Sequence, residues 1–237
     1  MTALEAMQAI YRTWTGKTMT FQFTDTKGVK ILGLMNDFQD EWQNEEGVDW
    51  ISLYTPTLQI ATVTATDTFA LDLSTIRKIS QQEGDSVRII WAGDTGTLQN
   101  PVNFSDYQLV PGDRLKEFDT GHYCARQGSN LIFAKPFLAT DKEFGGKLYV
   151  PAYNYVDTLV NPTDDIQVDN PRWLVLACAA EAARTDITRV TQYPNLLAKA
   201  NAFMQRMKDD NLDDQNTDAS TNWNPMPWSP SGNNWWV

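Results

Sequence analysis

The first part of the chain has the spacing of hydrophobic residues that is typical of amphipathic helices. A first helix is predicted to start at a capping box formed by Thr2 and Glu5 and to stop at Gly16. A second helix is predicted to start near Thr24 or Asp25, either of which can cap it. Each helix has one apolar face that a partner must cover. These faces consist of Met7, Ile10, Tyr11 and Trp14 in the first helix and Ile31, Met35, Phe38 and Trp42 in the second.

After these helices the hydrophobic period changes to two, which predicts half-buried strands. A hairpin is predicted around the turn at 127–130, and a further strand from Lys147 to Tyr153 after Gly145-Gly146. The strands are expected to be antiparallel because no helix of crossover length separates them. The stretch 101–118 is the exception, where a short helix is expected before Pro111-Gly112. The alternating positions are Phe69, Leu71 and Leu73 in one strand and Val87, Ile89 and Trp91 in another.

The helical period returns at Asn170, which can cap a helix whose first turn holds Pro171. The alanine-rich stretch 173–184 lets another helix approach closely. A last helix is predicted from about Gln192 to Asp210. Its apolar stripe consists of Leu196, Ala200, Phe203 and Met207, widened by Leu197 and Met204.

These patterns together predict an α+β fold. Two N-terminal and two C-terminal helices are expected to form an antiparallel helical bundle from residues 1–56 and 156–212. A β-rich insertion with antiparallel strands is expected at 57–155, and an extended tail at 213–237.

The tail differs sharply in composition from the rest of the chain. Residues 213–237 contain no Lys or Arg and hold four of the nine tryptophans. Because Trp is one of the residues that anchor interfaces, this segment is predicted to dock on a partner protein. The alternatives are that it folds back over its own core or is disordered. The predicted partner-binding residues are Trp223, Trp228, Trp235, Trp236, Pro225 and Pro227.

The charge of the chain bears on its partners. Lys and Arg total 19 against 30 for Asp and Glu, so the net charge is -11. A chain this acidic lacks the basic surface of a protein that grips nucleic-acid phosphates. No signal peptide and no membrane-spanning run is recognised, so a soluble protein made in the cytoplasm is expected.

Residues suited to catalysis are sparse. The single histidine, His122, lies two positions before Cys124. A hairpin in which neither residue is catalytic is predicted, and a Cys–His nucleophile pair is the weaker alternative. Paired carboxylates such as Asp164-Asp165 are interpreted as solvated surface, with a metal site as the weaker alternative. No phosphate-binding loop and no zinc spacing is present. The sequence therefore predicts a protein that is not an enzyme, with no catalytic residues, metal or cofactor.

The order of these features resembles the head–tail adaptor proteins of tailed phages, also called head-completion or connector proteins. The likeness covers about residues 1–212. It rests on the two N-terminal helices, the aromatic-rich stretch 42–50, the strand-turn-strand at 122–133, the tyrosine-bearing strand 147–155, the acidic loop at 164–165 with the following 169–174, and the closing helix.

This resemblance implies a viral structural protein that assembles into an oligomeric, dodecameric ring under the portal protein. The ring is expected to lie at the neck of the virion, to receive the next tail component (a stopper or nozzle) and to pass DNA through its lumen without sequence-specific binding. Its C-terminal extension is expected to reach the portal, and no membrane is involved. The alternatives are another tail-completion or baseplate component, or a carbohydrate-binding module.

Overall fold

A computed structural model gives the fold. It describes residues 1–20, 23–80, 85–117 and 122–221, with side chains described to residue 213. The chain divides into two structural units. The helical unit comprises Met1–Gln39 and the chain from Leu159 onward, and the sheet unit comprises Asp40–Thr158.

Four α-helices are present in the described residues: α1 (Ala3–Thr15), α2 (Thr26–Gln43), α3 (Pro171–Thr185) and α4 (Tyr193–Thr221). The predicted capping box of α1 is confirmed. The Thr2 hydroxyl accepts a hydrogen bond from the Glu5 amide, and the Glu5 carboxylate accepts one from the Thr2 amide at 2.9 Å. Gly16 ends α1 with a positive φ of 70°, which a residue with a Cβ adopts only at a cost.

Helix α3 is the central element of the helical unit. Asn170 caps it as predicted, because its side-chain oxygen accepts a hydrogen bond from the Arg172 amide at 3.0 Å. Ten of its fifteen residues are buried, and it packs against both α1 and α4. Its small side chains explain this burial, since alanines let neighbouring helices approach. Helix α4 is longer than predicted, continuing from the expected end near Asp210 to Thr221. The prediction of an extended tail over 213–237 is therefore wrong for residues 213–221, which belong to this helix, and 222–237 lie outside the described residues.

The sheet unit contains eight strands. Their order is β1-β8-β4-β5-β6-β7-β2, and β3 pairs with β8 beside β4. The pair β5–β6 is parallel, whereas the other pairs are antiparallel. The strands are β1 (Tyr54–Thr62), β2 (Thr68–Ala70), β3 (Ile76–Ile79), β4 (Val87–Ile90), β5 (Phe104–Leu109), β6 (Tyr123–Gln127), β7 (Asn130–Phe133) and β8 (Lys147–Asn154).

The sheet curls into a half-barrel around its own core. Two register shifts in β1 bend that strand. Past its end, the Val63 amide still bonds to Gly146, and a few residues later the Asp67 carbonyl accepts a hydrogen bond from the Phe133 amide of β7. The chain thus passes from one edge of the sheet to the other within a few residues. The buried interior includes Val63, Phe69, Val87, Ile89, Leu131, Phe133, Leu148 and Val150.

The predicted fold class is wrong. The sheet is not a small antiparallel insertion in a helical bundle but a curled, mixed, eight-stranded unit with its own core. The helix expected in 101–118 is replaced by strand β5, where buried Ser105 and Tyr107 alternate with exposed Phe104. The alternation of buried and exposed residues in β5 was missed because the buried positions hold Ser105 and Tyr107, which carry polar hydroxyl groups. The parallel pair was missed because the described part of the connection from β5 to β6, residues 110–117 and 122, holds a short 3-10 helix at Leu115–Glu117 but no crossover α-helix.

Candidate binding cleft

A cleft of about 500 Å³ lies beside Trp91 in the sheet unit. Ile90 and Tyr149 line it from the strands β4 and β8, the loop 91–98 supplies further lining, and Lys147 lies at the start of β8. Its volume falls in the range of about 300–1,000 Å³ that is usual for ligand-binding clefts. The cleft is therefore the candidate site of this unit.

Asp94 holds the loop of this cleft in one conformation. One of its carboxylate oxygens accepts hydrogen bonds from the amides of Val102 at 3.1 Å and Asn103 at 2.7 Å. The other accepts one from the Gly96 amide at 3.0 Å. Because a carboxylate bound to backbone donors makes strong, charge-assisted bonds, the loop is tied to the residues that lead into β5.

Two glycines of the cleft lie where the backbone leaves no room for a side chain. A Cβ at Gly96 would lie 2.5 Å from the Asn100 carbonyl oxygen. A Cβ at Gly146 would lie 2.5 Å from the Ile90 carbonyl oxygen and 2.8 Å from that of Glu143. The contact at Gly146 shows how closely the start of β8 approaches the end of β4.

A buried chain of hydrogen bonds fixes the Trp91 ring. The indole Nε1 donates to the Ser105 hydroxyl at 2.9 Å, and that hydroxyl donates to the Glu143 carboxylate at 2.6 Å. Ser105 is 4% exposed and Glu143 is 7% exposed. A carboxylate is costly to bury without a partner, so this chain is an integral part of the corner that carries Trp91.

Two cation–π contacts lie on this part of the sheet. The Lys142 ammonium lies 4.4 Å from the centroid of the Trp91 ring. The Arg88 guanidinium lies 4.5 Å from the centroid of the Phe104 ring and also pairs with Asp106 at 2.8 Å. Both arrangements have cation–π geometry, in which the ring face attracts the positive charge. The cleft thus combines a fixed aromatic ring with nearby ammonium groups.

His122 and Cys124 do not form a catalytic nucleophile pair in the structure. His122 is exposed and its ring packs on Tyr107 with 4.8 Å between ring centroids. Cys124 is fully buried, and its thiol donates to the Gln108 carbonyl oxygen at 3.7 Å. Burial raises the pKa of the Cys124 thiol to about 12. The thiol is therefore protonated at neutral pH, and a thiolate nucleophile is not supplied here.

In the pair Asp164-Asp165, considered as the weaker alternative of a metal site, Asp164 has structural partners. The Asp164 carboxylate accepts hydrogen bonds from the amides of Val160 and Asn161, both at 2.7 Å, and these bonds lower its pKa. Across the described parts of the chain, no group of three or more His, Cys, Asp or Glu side chains could hold a metal ion. In those same parts, no helix is long and apolar enough to cross a membrane.

The predicted docking residues cannot be placed on the fold. Trp223, Trp228, Trp235, Trp236, Pro225 and Pro227 all lie outside the described residues. A second cavity, of about 650 Å³, lies along one face of α1 and is bounded by Thr18, Met19 and Thr20. The residues that follow Thr20, 21 and 22, lie outside the described part of the chain.

Comparison with known proteins adds no relative: no protein-family model matches the chain, and no curated protein matches its sequence. The cleft is not predicted by the sequence patterns, which place Trp91 in a strand and Gly145-Gly146 in a turn. The clue available in the sequence was the run from Trp91 to Gly96, in which two glycines and Asp94 follow an aromatic residue at the end of a strand.

Proposed function

We propose that this protein is a structural component of a tailed-phage virion that forms an adaptor ring between portal and tail. The observation that carries the proposal is the element order: α1 and α2, then the sheet, then α3 and α4. In the helical unit, α1 from the start of the chain packs on α3 from its second half. This order supports the adaptor layout even though the sheet is larger and differently paired than the resemblance implies.

The charge and the exposed apolar residues fit an assembly role. A net charge of -11 suits a ring whose lumen passes DNA without holding it. Ile187, in the turn between α3 and α4, is 91% exposed, and Val190 beside it is 44% exposed. Such neighbouring exposed apolar residues can be covered by an adjoining subunit in a ring.

The attachment to the portal is assigned to the C-terminal segment. Its tryptophans, Trp223, Trp228, Trp235 and Trp236, are of the residue type that most often dominates interface energies. Pro225 and Pro227 restrict the backbone between the first two of them, which lowers the entropy lost on docking. The next tail component, a stopper or nozzle, is expected to bind the opposite face of the ring.

The test uses the full chain and the portal protein encoded by the same tailed-phage genome as this chain. Native mass spectrometry gives the stoichiometry of the mixture, and electron cryomicroscopy gives the position of the ring. The test variant carries Ser at the four tail tryptophans, and the matched control carries Ser at four asparagines of the same segment, Asn222, Asn224, Asn233 and Asn234. We expect the tryptophan variant to lose portal binding and the asparagine variant to keep it. Undiminished binding by the tryptophan variant contradicts the assigned role of the tail.

Two other functions remain as alternatives. A tail-completion or baseplate component would share the element order but would not contact the portal in a virion map. A carbohydrate-binding module is favoured by one observation, the fixed aromatic ring of Trp91 beside a cleft. Lys142 lies over that ring, which limits the area left for a sugar to stack. Binding of the full chain on a glycan array would favour this alternative over the adaptor.

A further inference from the structure

We propose that two copies of this protein pair through helix α2, with the exposed face of one α2 packed antiparallel against the same face of the other. Lys30 of each copy faces Asp37 of the other, Lys27 faces Asp40, and the helices cross at Gly33. A pair of this kind is closed by a two-fold axis. Neighbouring subunits of a ring contact each other head to tail, so this dimer is a separate assembly from the adaptor ring proposed above. Each proposal can fail without the other.

Helix α2 buries one face in its own fold and leaves the opposite face exposed. The buried face includes Ile31, Met35 and Trp42. The exposed face, here named the α2 stripe, consists of Lys27, Val29, Lys30, Gly33, Asp37 and Asp40. Val29 is 55% exposed, so the stripe holds an apolar side chain among its charges. The stripe is therefore a helix face on which a partner can pack.

The charges of the α2 stripe run against the helix dipole. Lys27 lies in the first turn, which has no acidic residue, and Asp40 lies in the last turn, which has no basic residue. The N-terminal end of a helix carries a partial positive charge and its C-terminal end a partial negative one, so both ends are unfavourably charged. Lys30 and Asp37 are about 10 Å apart along the axis, which is too far for them to pair with each other. The stripe thus has a basic half and an acidic half that its own helix does not neutralise.

The charged side chains of the α2 stripe form no ion pair in the described part of the fold. Five ion pairs are found there, and none includes a residue of the stripe. Arg184 binds the Glu181 carboxylate and lowers its pKa, and the charge of Lys30 adds to that effect without forming an ion pair. Asp40 accepts a hydrogen bond from the neutral Gln43 side-chain amide at 2.7 Å, so it keeps its negative charge. Both halves of the stripe are therefore left for a partner to match.

A second copy of α2 matches both halves at once. With the two-fold axis between positions 33 and 34, an antiparallel copy places Lys30 opposite Asp37 and Lys27 opposite Asp40, and each pair occurs twice. Helices inclined at about 20° diverge by only about 3 Å over the roughly 10 Å from the axis to Lys27, which a lysine side chain can span. A partner of a single charge sign, such as a nucleic acid or an acidic peptide, would match one half of the stripe and be repelled by the other. The charge order therefore favours a second copy of this chain.

Gly33 lies where the two helices cross. It is an exposed residue in the middle of α2, and a Cβ added to it would meet no atom within 4 Å. Its own fold thus does not require the missing side chain, although a glycine in a helix interior lowers the stability of the helix. At a crossing point the missing side chain has a use, because small residues let two helix backbones approach closely. The close approach also covers Val29, which lies one turn before Gly33 on the same stripe.

The contact is small, so a weak dimer is expected. Helix α2 has 18 residues and is about 27 Å long, which places the buried area at the low end of specific interfaces. Two copies with a net charge of -11 each also repel one another, although salt screens this repulsion beyond about 8 Å. We expect a dissociation constant of about 10–100 µM.

Sedimentation velocity of the full chain over about 1–300 µM measures the association. Lys27→Glu with Lys30→Glu makes the stripe wholly acidic, and Asp37→Lys with Asp40→Lys makes it wholly basic. Each double variant alone should dimerise at least about tenfold more weakly than the parent, because all facing charges are then alike. An equimolar mixture of the two should dimerise at least as well as the parent, because all facing charges are again opposite. Both variants keep a negative net charge, so their overall charges do not produce this pairing.

Two further variants assign the association to the crossing of α2. Lys116→Glu with Lys135→Glu makes the same change of charge at exposed positions outside the stripe, and should change the dissociation constant less than about threefold. Gly33→Gln should raise the urea concentration at which the protein unfolds, because glutamine favours a helix more than glycine does. The same variant should weaken the dimer at least about tenfold, because its side chain separates the two backbones. A residue with only a structural role in the monomer would not give these opposite effects.

Four results overturn the inference. A parent protein that stays monomeric over the whole concentration range forms no such dimer. A mixture of the acidic and basic double variants that associates no better than either alone removes the facing charge pairs. Unchanged association of Gly33→Gln removes the close crossing, and dimers that form equally in every variant lie on another surface of the protein.

Discussion

The buried hydrogen-bond chain at Trp91 gives the sharpest test of the sheet unit. Replacing Ser105 with Ala removes the hydroxyl that donates to Glu143 at 2.6 Å and accepts from the Trp91 indole at 2.9 Å. Both Ser105 and Glu143 are almost fully buried, so water does not readily replace the lost hydroxyl. The variant leaves a carboxylate oxygen without this donor and an indole N–H without an acceptor.

The size of the effect follows from the two bonds. A hydrogen bond to a charged group contributes about 1.5–3 kcal/mol, and a neutral one about 1 kcal/mol. The Ser105→Ala variant should therefore lower the free energy of unfolding by about 3 kcal/mol. Trp91→Phe removes the indole donor together with part of the ring under Lys142, and should cost at least about 1 kcal/mol. The double variant should be less destabilised than the sum of the two, because both single changes remove the same indole bond.

Urea denaturation followed by circular dichroism measures these free energies. Hydrogen exchange of the β4 and β5 amides shows whether the loss is local to this corner of the sheet. The control is Ser129→Ala in the exposed turn between β6 and β7, which should stay within about 0.5 kcal/mol of the parent. A Ser105→Ala variant as stable as that control would refute the role assigned to this hydrogen-bond chain, and strictly additive variants would refute the shared bond.

Three further outcomes are expected. Gly146→Ala should lower the free energy of unfolding by about 3 kcal/mol in a urea titration, because the added Cβ meets two backbone carbonyls. Gly93 has a positive φ of 79° but no atom near an added Cβ, so Gly93→Ala should lower it by only about 1 kcal/mol. The Cys124 thiol, whose pKa burial raises to about 12, should resist a thiol reagent at pH 8 in the native protein and react after denaturation. Burial and the hydrogen bond to Asp85 raise the pKa of Tyr54, so the stabilisation by its neutral phenol is fully present below about pH 10 and is lost progressively above it. Tyr54→Phe should reduce the fall of the unfolding free energy at alkaline pH. An unchanged dependence of that free energy on pH would contradict this coupling.

The helices could be predicted from the sequence because each depends on local information. The capping box at Thr2, the stop at Gly16 and the cap at Asn170 act within one turn of the residues they bond. Helix α4 extends past its predicted end, and the extension was missed because the apolar stripe that marks this helix in the sequence stops near Leu212. The four α-helices were thus largely predictable, and docking by the residues beyond Thr221 stays a prediction.

The sheet topology could not be predicted in the same way. Its order depends on pairings between distant segments, such as β2 with β7 and β1 with β8. A rule based on crossover helices failed at β5–β6, where the strands are parallel although the connection shows no α-helix in its described residues. Hydrophobic period fixes which face of a strand is buried but does not fix its neighbour.

The cleft combines both kinds of information, and this explains why it was missed. The run Trp91-Ala-Gly-Asp94 is local, and the Asp94 carboxylate accepts hydrogen bonds from amides that lie within nine residues of it, those of Gly96 and Asn103. Glu143 and Lys142, however, reach Trp91 only because β8 pairs with β4 and brings the preceding segment to the same corner. A sequence pattern can mark Trp91 as an aromatic residue at a strand end, but it cannot show that the residue is half-buried or that a buried carboxylate fixes its ring. A surface tryptophan becomes a candidate for recognition when such a support exists, and the support depends on the strand pairing that local patterns do not encode.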